Sequence, residues 1–292
     1  PSERTILILA TTKGNISLLE ENQPDHPRIH LHATATWLAD QFKMKHHLVV
    51  SNACISGAMA MLVAKRMLQG NQYDHAIVVG ADVLSKFVIS GFQSLQALSN
   101  EPCKPFDENR IGINLGECAA ATILTTKPEV FPIKPAILVQ GGGLSNDANH
   151  ISGPSRTGEE LSFAVRDAMK EANLSANEID FISAHGTATL YNDEMEAKAF
   201  NLLGMSTTPL NSMKGYFGHT LGAAGVLESI MSAQSLIHQE FIATKGFKSL
   251  GVTMPLHVIQ SPEKKAIKTC LKTSSGFGGC NAALILQNQT NQ

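Results

Sequence analysis

The stretch His47-Leu48-Val49-Val50-Ser51-Asn52-Ala53-Cys54-Ile55-Ser56-Gly57-Ala58-Met59-Ala60-Met61-Leu62-Val63-Ala64-Lys65-Arg66-Met67-Leu68 changes its period at one residue. Up to Ala53 it is a short apolar run of strand character; beyond Cys54 it carries small and apolar residues over a length suited to a helix. A strand running directly into a helix is the unit from which α/β proteins are built. A cysteine at that junction has its sulfur at the positive end of the helix dipole, which favours the thiolate. Cys54 is therefore the first candidate nucleophile.

The same alternation continues outward. Strands are expected at 5–11, 75–81, 119–126, 136–141, 179–184, 267–273 and 282–287, besides 47–53, and helices near 31–42, 56–69, 159–173, 193–204 and 221–238. The helix over 159–173 is the clearest, because Leu161, Val165, Ala168, Met169 and Ala172 form one apolar face opposite Glu159, Glu160, Arg166, Asp167, Lys170 and Glu171. Residues 142–158 are rich in Gly, Ser, Asn and Pro and read as a loop. They suggest two α/β halves, 1–150 with the nucleophile and 151–292.

With 292 residues, 43% of them hydrophobic, the chain can bury a large core. Lys and Arg total 23 against 25 Asp and Glu, a formal net charge of −2. This gives no whole-molecule field for nucleic acid or anionic lipid. The five cysteines, 54, 103, 118, 270 and 280, form no CxxC pair and no zinc-type spacing with histidine, so no metal is expected and the setting reads as a reducing cytoplasm. No apolar run reaches the roughly eighteen residues of a membrane span.

Three more segments carry chemistry. Ser183-Ala184-His185-Gly186-Thr187-Ala188-Thr189 places a histidine directly after a buried strand. Lys214 follows 29 residues later, ahead of Gly218-His219-Thr220-Leu221-Gly222-Ala223-Ala224-Gly225, where a second histidine opens a helix of small residues. Ser274-Ser275-Gly276-Phe277-Gly278-Gly279-Cys280-Asn281 is a glycine-rich turn between strands. Each has a plain structural reading by itself: a small core cysteine, a satisfied histidine, a surface lysine, a tight turn.

Together, in this order and approximate spacing, the Cys54 junction, the His185 segment, the Lys214–His219 pair and the Gly276–Gly279 turn resemble the β-ketoacyl synthases, in the elongating Cys-His-His type of the thiolase-like superfamily. Gly80-Ala81-Asp82-Val83-Leu84-Ser85 and Pro105-Phe106-Asp107-Glu108 agree, and the resemblance extends from near residue 5 to 290. It implies a thiolase-like fold of two related α/β halves packed in layers. It also implies an acyltransferase that joins a Cys-bound acyl chain to malonyl-acyl carrier protein by decarboxylative Claisen condensation, in fatty-acid, polyene or polyketide elongation.

By that resemblance Cys54 is the nucleophile, and His185 and His219 donate hydrogen bonds to the malonyl thioester oxygen; such donors are worth about 3 kcal/mol each. The backbone N–H groups of Cys54 and Phe277 form an oxyanion hole, with Phe277 as a gate between Gly276 and Gly278. Lys214 orients the site, with Glu228, Asp193, Glu196, Thr187 and Thr189 behind it, and Phe92 lines the acyl pocket. Asp193 and Glu196 also read as an N-cap and a first-turn carboxylate of a helix. No bound cofactor is implied, since the phosphopantetheine arm arrives with the carrier protein. A homodimer or a ketosynthase heterodimer is expected.

The chain departs from the family pattern in places. The strand, glycine loop and helices that precede the segment matching Thr5 have no counterpart, so the first half is expected to be N-terminally incomplete, with the segment lying upstream. Gln96 replaces a basic residue that meets the carrier protein, leaving Lys65, Arg66 and Lys86 as candidates for that contact. Two rival functions stay open. One is a non-decarboxylating thiolase or acyltransferase, for which Cys280 lies near the expected second cysteine. The other is a non-catalytic partner subunit that sets chain length, a class that usually lacks the cysteine.

Overall fold

The computed structural model describes residues 2–131, 136–148 and 152–289, which form two compact units. The first unit comprises the described residues of Pro1–Leu95, Gly116–Ile133 and Thr220–Leu227; the second comprises those of Gln96–Leu115, Lys134–His219 and Glu228–Gln292.

The first unit contains β1 (Thr5–Ala10), α1 (Ser17–Glu20), α2 (Leu31–Gln41), β2 (His46–Val50), α3 (Ser56–Gln69), β3 (His75–Asp82), α4 (Lys86–Ser94) and β4 (Cys118–Thr125). Its sheet has the order β2-β1-β3-β4, with β1 parallel to both neighbours and β4 antiparallel to β3. A parallel strand flanked on both edges and covered on both faces needs apolar residues throughout. All six residues of β1 are accordingly buried. Leu7 and Leu9 pack with Ala35 and Ala39 of α2 and with Met44, and α3 packs against β1 and β3.

At its start α3 meets residues 220–227 with no room for side chains. A Cβ on Gly57 would stand 2.7 Å from the Val226 nitrogen, and one on Gly225 would collide with the Ala58 nitrogen. Asp82, at the end of β3, joins the same region, accepting from Thr11 Oγ1 at 2.7 Å, the Thr12 N–H at 2.9 Å and the Gly222 N–H at 2.7 Å. The Gly80-Ala81-Asp82 phrase is thus a structural clamp at the top of the sheet.

The second unit contains β5 (Ile137–Asn146), α5 (Glu159–Ala172), β6 (Phe181–Ser183), α6 (Leu190–Leu202), β7 (Pro209–Asn211), α7 (Lys214–Phe217), most of α8 (Ala224–His238), β8 (Glu240–Phe241), β9 (His257–Val258), β10 (Glu263–Lys264), β11 (Thr269–Gly276) and β12 (Cys280–Asn288). Its main sheet has the order β5-β12-β11-β6-β7-β9, and β8 pairs separately with β10. Neighbouring residues of one strand serve opposite faces, as the pleat requires. Ile182 and Leu271 join Leu161, Val165, Ala168 and Phe200 on the α5/α6 side. Phe181 and Cys270 join Leu236, Phe241 and Ile259 on the other.

Two expectations change here. Residues 142–146 are strand, not loop, because β5 continues through Gly141-Gly142-Gly143 to Asn146. A Cβ on Gly141 or Gly143 would strike the Ala168 or Ala164 carbonyl of α5, so the glycines are there to let the helix lie on the strand. The seam at 150/151 lies outside the described residues, and the compact units draw on other segments: 96–115 belongs with the second unit and 220–227 with the first.

Candidate active site

In the first unit Cys54 stands two residues ahead of α3 and is 7% exposed. Ala53 before it adopts φ 44°, a left-handed conformation that costs a residue with a Cβ about 1 kcal/mol or more. Ser56 fixes this elbow, its Oγ donating to the Ala53 carbonyl at 2.6 Å and accepting from the Asn52 N–H at 2.8 Å. The strained turn is the local departure from strand and helix geometry that presents one side chain, Cys54, at a defined place. Phe92, half-buried, lies on α4 of the same unit. Of the basic candidates for carrier contact, Lys65 is buried; Arg66 and Lys86 are exposed.

In the second unit the segment after β6 is held by two fully buried carboxylates of α6. Glu196 accepts the His185 N–H at 2.8 Å and the Gly186 N–H at 2.7 Å, and also the Thr273 hydroxyl. Asp193 accepts the Thr187 N–H at 3.0 Å and the Phe106 N–H at 2.7 Å, with Arg110 Nε at 3.8 Å. Thr187 and Thr189 bond through their hydroxyls at 2.8 Å, and Thr189 is the N-cap of α6. Burial pushes Asp193 up to about 7 and Glu196 above the usual carboxylate range, against these hydrogen bonds. Both are clamps on the histidine loop, and the reading of them as N-cap and first-turn carboxylate changes: Thr189 is the N-cap, Asp193 stands in the first turn and Glu196 in the second.

His185 and His219, each almost fully buried, meet edge to face with ring centroids 5.2 Å apart. The His219 backbone N–H donates to the Asn114 carbonyl at 2.7 Å. Lys214, also buried, places Nζ 2.6 Å from the His185 carbonyl, 3.3 Å from His185 Nδ1 and 2.7 Å from Glu228 Oε1. An ammonium has protons to give and no lone pair, so Nδ1 must accept and the ring proton of neutral His185 sits on Nε2. Burial, then the Lys214 charge, holds His185 well below 6.5, and burial followed by Lys214 holds His219 down at about 3. Two uncharged imidazoles side by side, one with an assigned donor, can stabilise a developing oxyanion without themselves becoming ions.

Sequence reasoning missed one member of this network. Lys272 of β11 is fully buried and reaches Glu228 Oε2 at 2.7 Å. The available signal was a lysine following Cys270-Leu271, well inside the 267–273 run read as a strand. Burial pushes the Glu228 carboxyl up, yet Lys214 and Lys272 outweigh it and hold Glu228 below its ordinary value.

The glycine-rich turn joins β11 to β12. Gly278 and Gly279 have φ 86° and 77°, and a Cβ on Gly279 would overlap the Asp147 carbonyl. Phe277 is 37% exposed next to Gly276, and its carbonyl lies 3.4 Å from Cys280 Sγ. Burial pushes Cys103 and Cys270 up to about 12 and Cys280 up to about 11, so all three remain thiols at neutral pH. Among the described residues no group of three His, Cys, Asp or Glu side chains could hold a metal ion, and no helix is long and apolar enough to cross a membrane.

Comparison with known proteins gives these units a context. Residues 34–129 match the family model "Beta-ketoacyl synthase, N-terminal domain", and residues 137–248 match "Beta-ketoacyl synthase, C-terminal domain". The 3-oxoacyl-[acyl-carrier-protein] synthase 2 of Rhizobium meliloti (strain 1021) is 32% identical over 276 residues, 90% of this chain and 65% of that protein. The polyketide biosynthesis malonyl-ACP decarboxylase PksF of Bacillus subtilis (strain 168) is 30% identical over 253 residues, 82% of this chain and 60% of that protein.

 

The chain thus spans less than two thirds of the length of these curated relatives. Among solved structures, a chain of the complex of the ketosynthase ApeO with its chain length factor ApeC from Xenorhabdus doucetiae superposes with a TM-score of 0.86 at 29% identity, over 98% of this chain and 75% of that one.

Proposed function

The chain belongs to the β-ketoacyl synthase family, and on that premise we propose that it catalyses the decarboxylative condensation of an acyl thioester with malonyl-acyl carrier protein. The Cys54 thiolate attacks the acyl carbonyl, the bond from that carbonyl to the carrier sulfur breaks, and the carrier leaves as thiolate, which takes a proton from water. The malonyl thioester then loses carbon dioxide, and the electron pair of the broken bond becomes an enolate. The enolate carbon attacks the Cys54-bound acyl carbonyl, Cys54 leaves as thiolate, and a β-ketoacyl thioester remains on the carrier. The observation that carries this reading is the pair of neutral imidazoles 5.2 Å apart, with the His185 proton directed to Nε2 by Lys214. Their task is hydrogen bonding to the enolate oxygen.

In this reading Phe277 serves as gate and, through its N–H with that of Cys54, as oxyanion donor, while Phe92 lines the acyl pocket. The phosphopantetheine arm comes with the carrier protein, so no resident cofactor takes part. The working form is a dimer in the cytoplasm, with a second copy or a ketosynthase-like partner. Separate assays of the two half-reactions test the proposal. Cys54→Ala should abolish acyl loading, read by intact mass, while keeping carbon dioxide release from malonyl carrier protein. His185→Ala should do the reverse, losing carbon dioxide release by about a hundredfold or more. Absence of acylation at Cys54 in the folded wild-type protein would favour the chain-length-setting role instead.

A further inference from the structure

We propose that Lys272 is a second positioning lysine, which holds one oxygen of Glu228 so that Lys214 stays between Glu228 and His185. Lys272 Nζ lies 2.7 Å from Glu228 Oε2 and 3.3 Å from the Ser183 carbonyl, and it also donates to the Thr273 carbonyl. Lys214 takes Glu228 Oε1 and the His185 carbonyl. The two lysines therefore grip the backbone on both sides of Ala184, and the carboxylate between them keeps their ammonium groups apart. Without Lys272, both oxygens of Glu228 become available to Lys214, whose Nζ is then drawn from His185 Nδ1.

The charge count points the same way. Within the Lys214–Glu228–Lys272 cluster, two lysines against one carboxylate leave one positive charge, and that charge opposes protonation of both imidazoles and favours an enolate. The other charged groups around the loop are Glu196 and Asp193 of α6, with Arg110 beside Asp193. They are the same in every variant below, so differences report on Lys272 and Glu228.

The catalytic part of this inference rests on the condensing function, whereas the tautomer part does not. The full chain, labelled with ¹⁵N-histidine, is compared by NMR as wild type, Lys272→Met and Lys272→Met/Glu228→Gln. Wild-type His185 should hold the Nε2–H tautomer to the acid limit of folding. Lys272→Met should mix the tautomers and move imidazole titration to higher pH, and the double variant, with one positive charge restored, should return towards wild type. An unchanged His185 in Lys272→Met, or a change that persists in the double variant, overturns the proposal. Should Lys272→Met fail to fold, a folded double variant with the wild-type tautomer supports it, and an unfolded one assigns Lys272 a plain core role. Carbon dioxide release should fall and recover in parallel; NMR changes without that response would count against the condensing function and not against the role of Lys272.

Discussion

His185 and His219 keep their uncharged state through burial first and the neighbouring lysines second. An imidazole in the unfolded chain takes its proton near pH 6.5, but His219 in the folded protein resists until about 3. The uncharged form that the proposed condensation requires is thus kept well below pH 6.5, and carbon dioxide release should be level from pH 8 to about 5. A fall centred on pH 6.5, measured with malonyl carrier protein under saturating conditions, would show that an imidazole titrates normally. The sign for stability follows from the same shifts. Below 6.5 the unfolded chain binds protons that the folded one does not, so stability is lost as pH falls, by about 1.4 kcal/mol per unit for each imidazole. Asp193 acts oppositely: its folded value of about 7 lies above the ordinary one, so its contribution is present in acid and lost as pH rises through 7. Circular dichroism at each pH separates loss of fold from loss of rate.

At the scale of elements, the position of Cys54 depends on how closely α3 meets residues 220–227. Gly57→Ala or Gly225→Ala should destabilise the protein by about 1–3 kcal/mol, because an added methyl meets backbone on the facing segment. Gly91→Ala is the control. It lies within α4 with nothing within 4 Å of its Cβ, so helix propensity alone should act, adding up to about 1 kcal/mol. Denaturant midpoints measure all three, and a neutral Gly225→Ala would remove the close-packing argument. These contrasts also explain what the sequence could reveal. The helix over Glu159–Ala172 was legible because its apolar stripe repeats at the helical period. The end of β5 was not, because glycines needed for close packing look the same in sequence as glycines needed for a turn. Cys54, His185, Lys214 and His219 were legible as a joint pattern. Lys272 was not, since only its fully buried contact with Glu228 distinguishes it from a strand-edge lysine.

For the whole molecule, the order of residues and the order of packing differ. Segment 96–115 belongs with the second unit, where Phe106 supplies an N–H to Asp193 and Asn114 a carbonyl to His219. Segment 220–227 belongs with the first, where Gly222 supplies an N–H to Asp82. A cut at residue 150 therefore leaves in each piece a segment that satisfies buried polar groups of the other. An unpartnered buried carboxylate costs more than the bond it lost is worth in the intact protein. The pieces 1–150 and 151–292, expressed separately, should lack a cooperative unfolding transition, and mixing them should restore it. A cooperative transition for 151–292 alone, with its histidine resonances dispersed as in the intact chain, would mean that the site is built by the C-terminal sequence without the 96–115 segment.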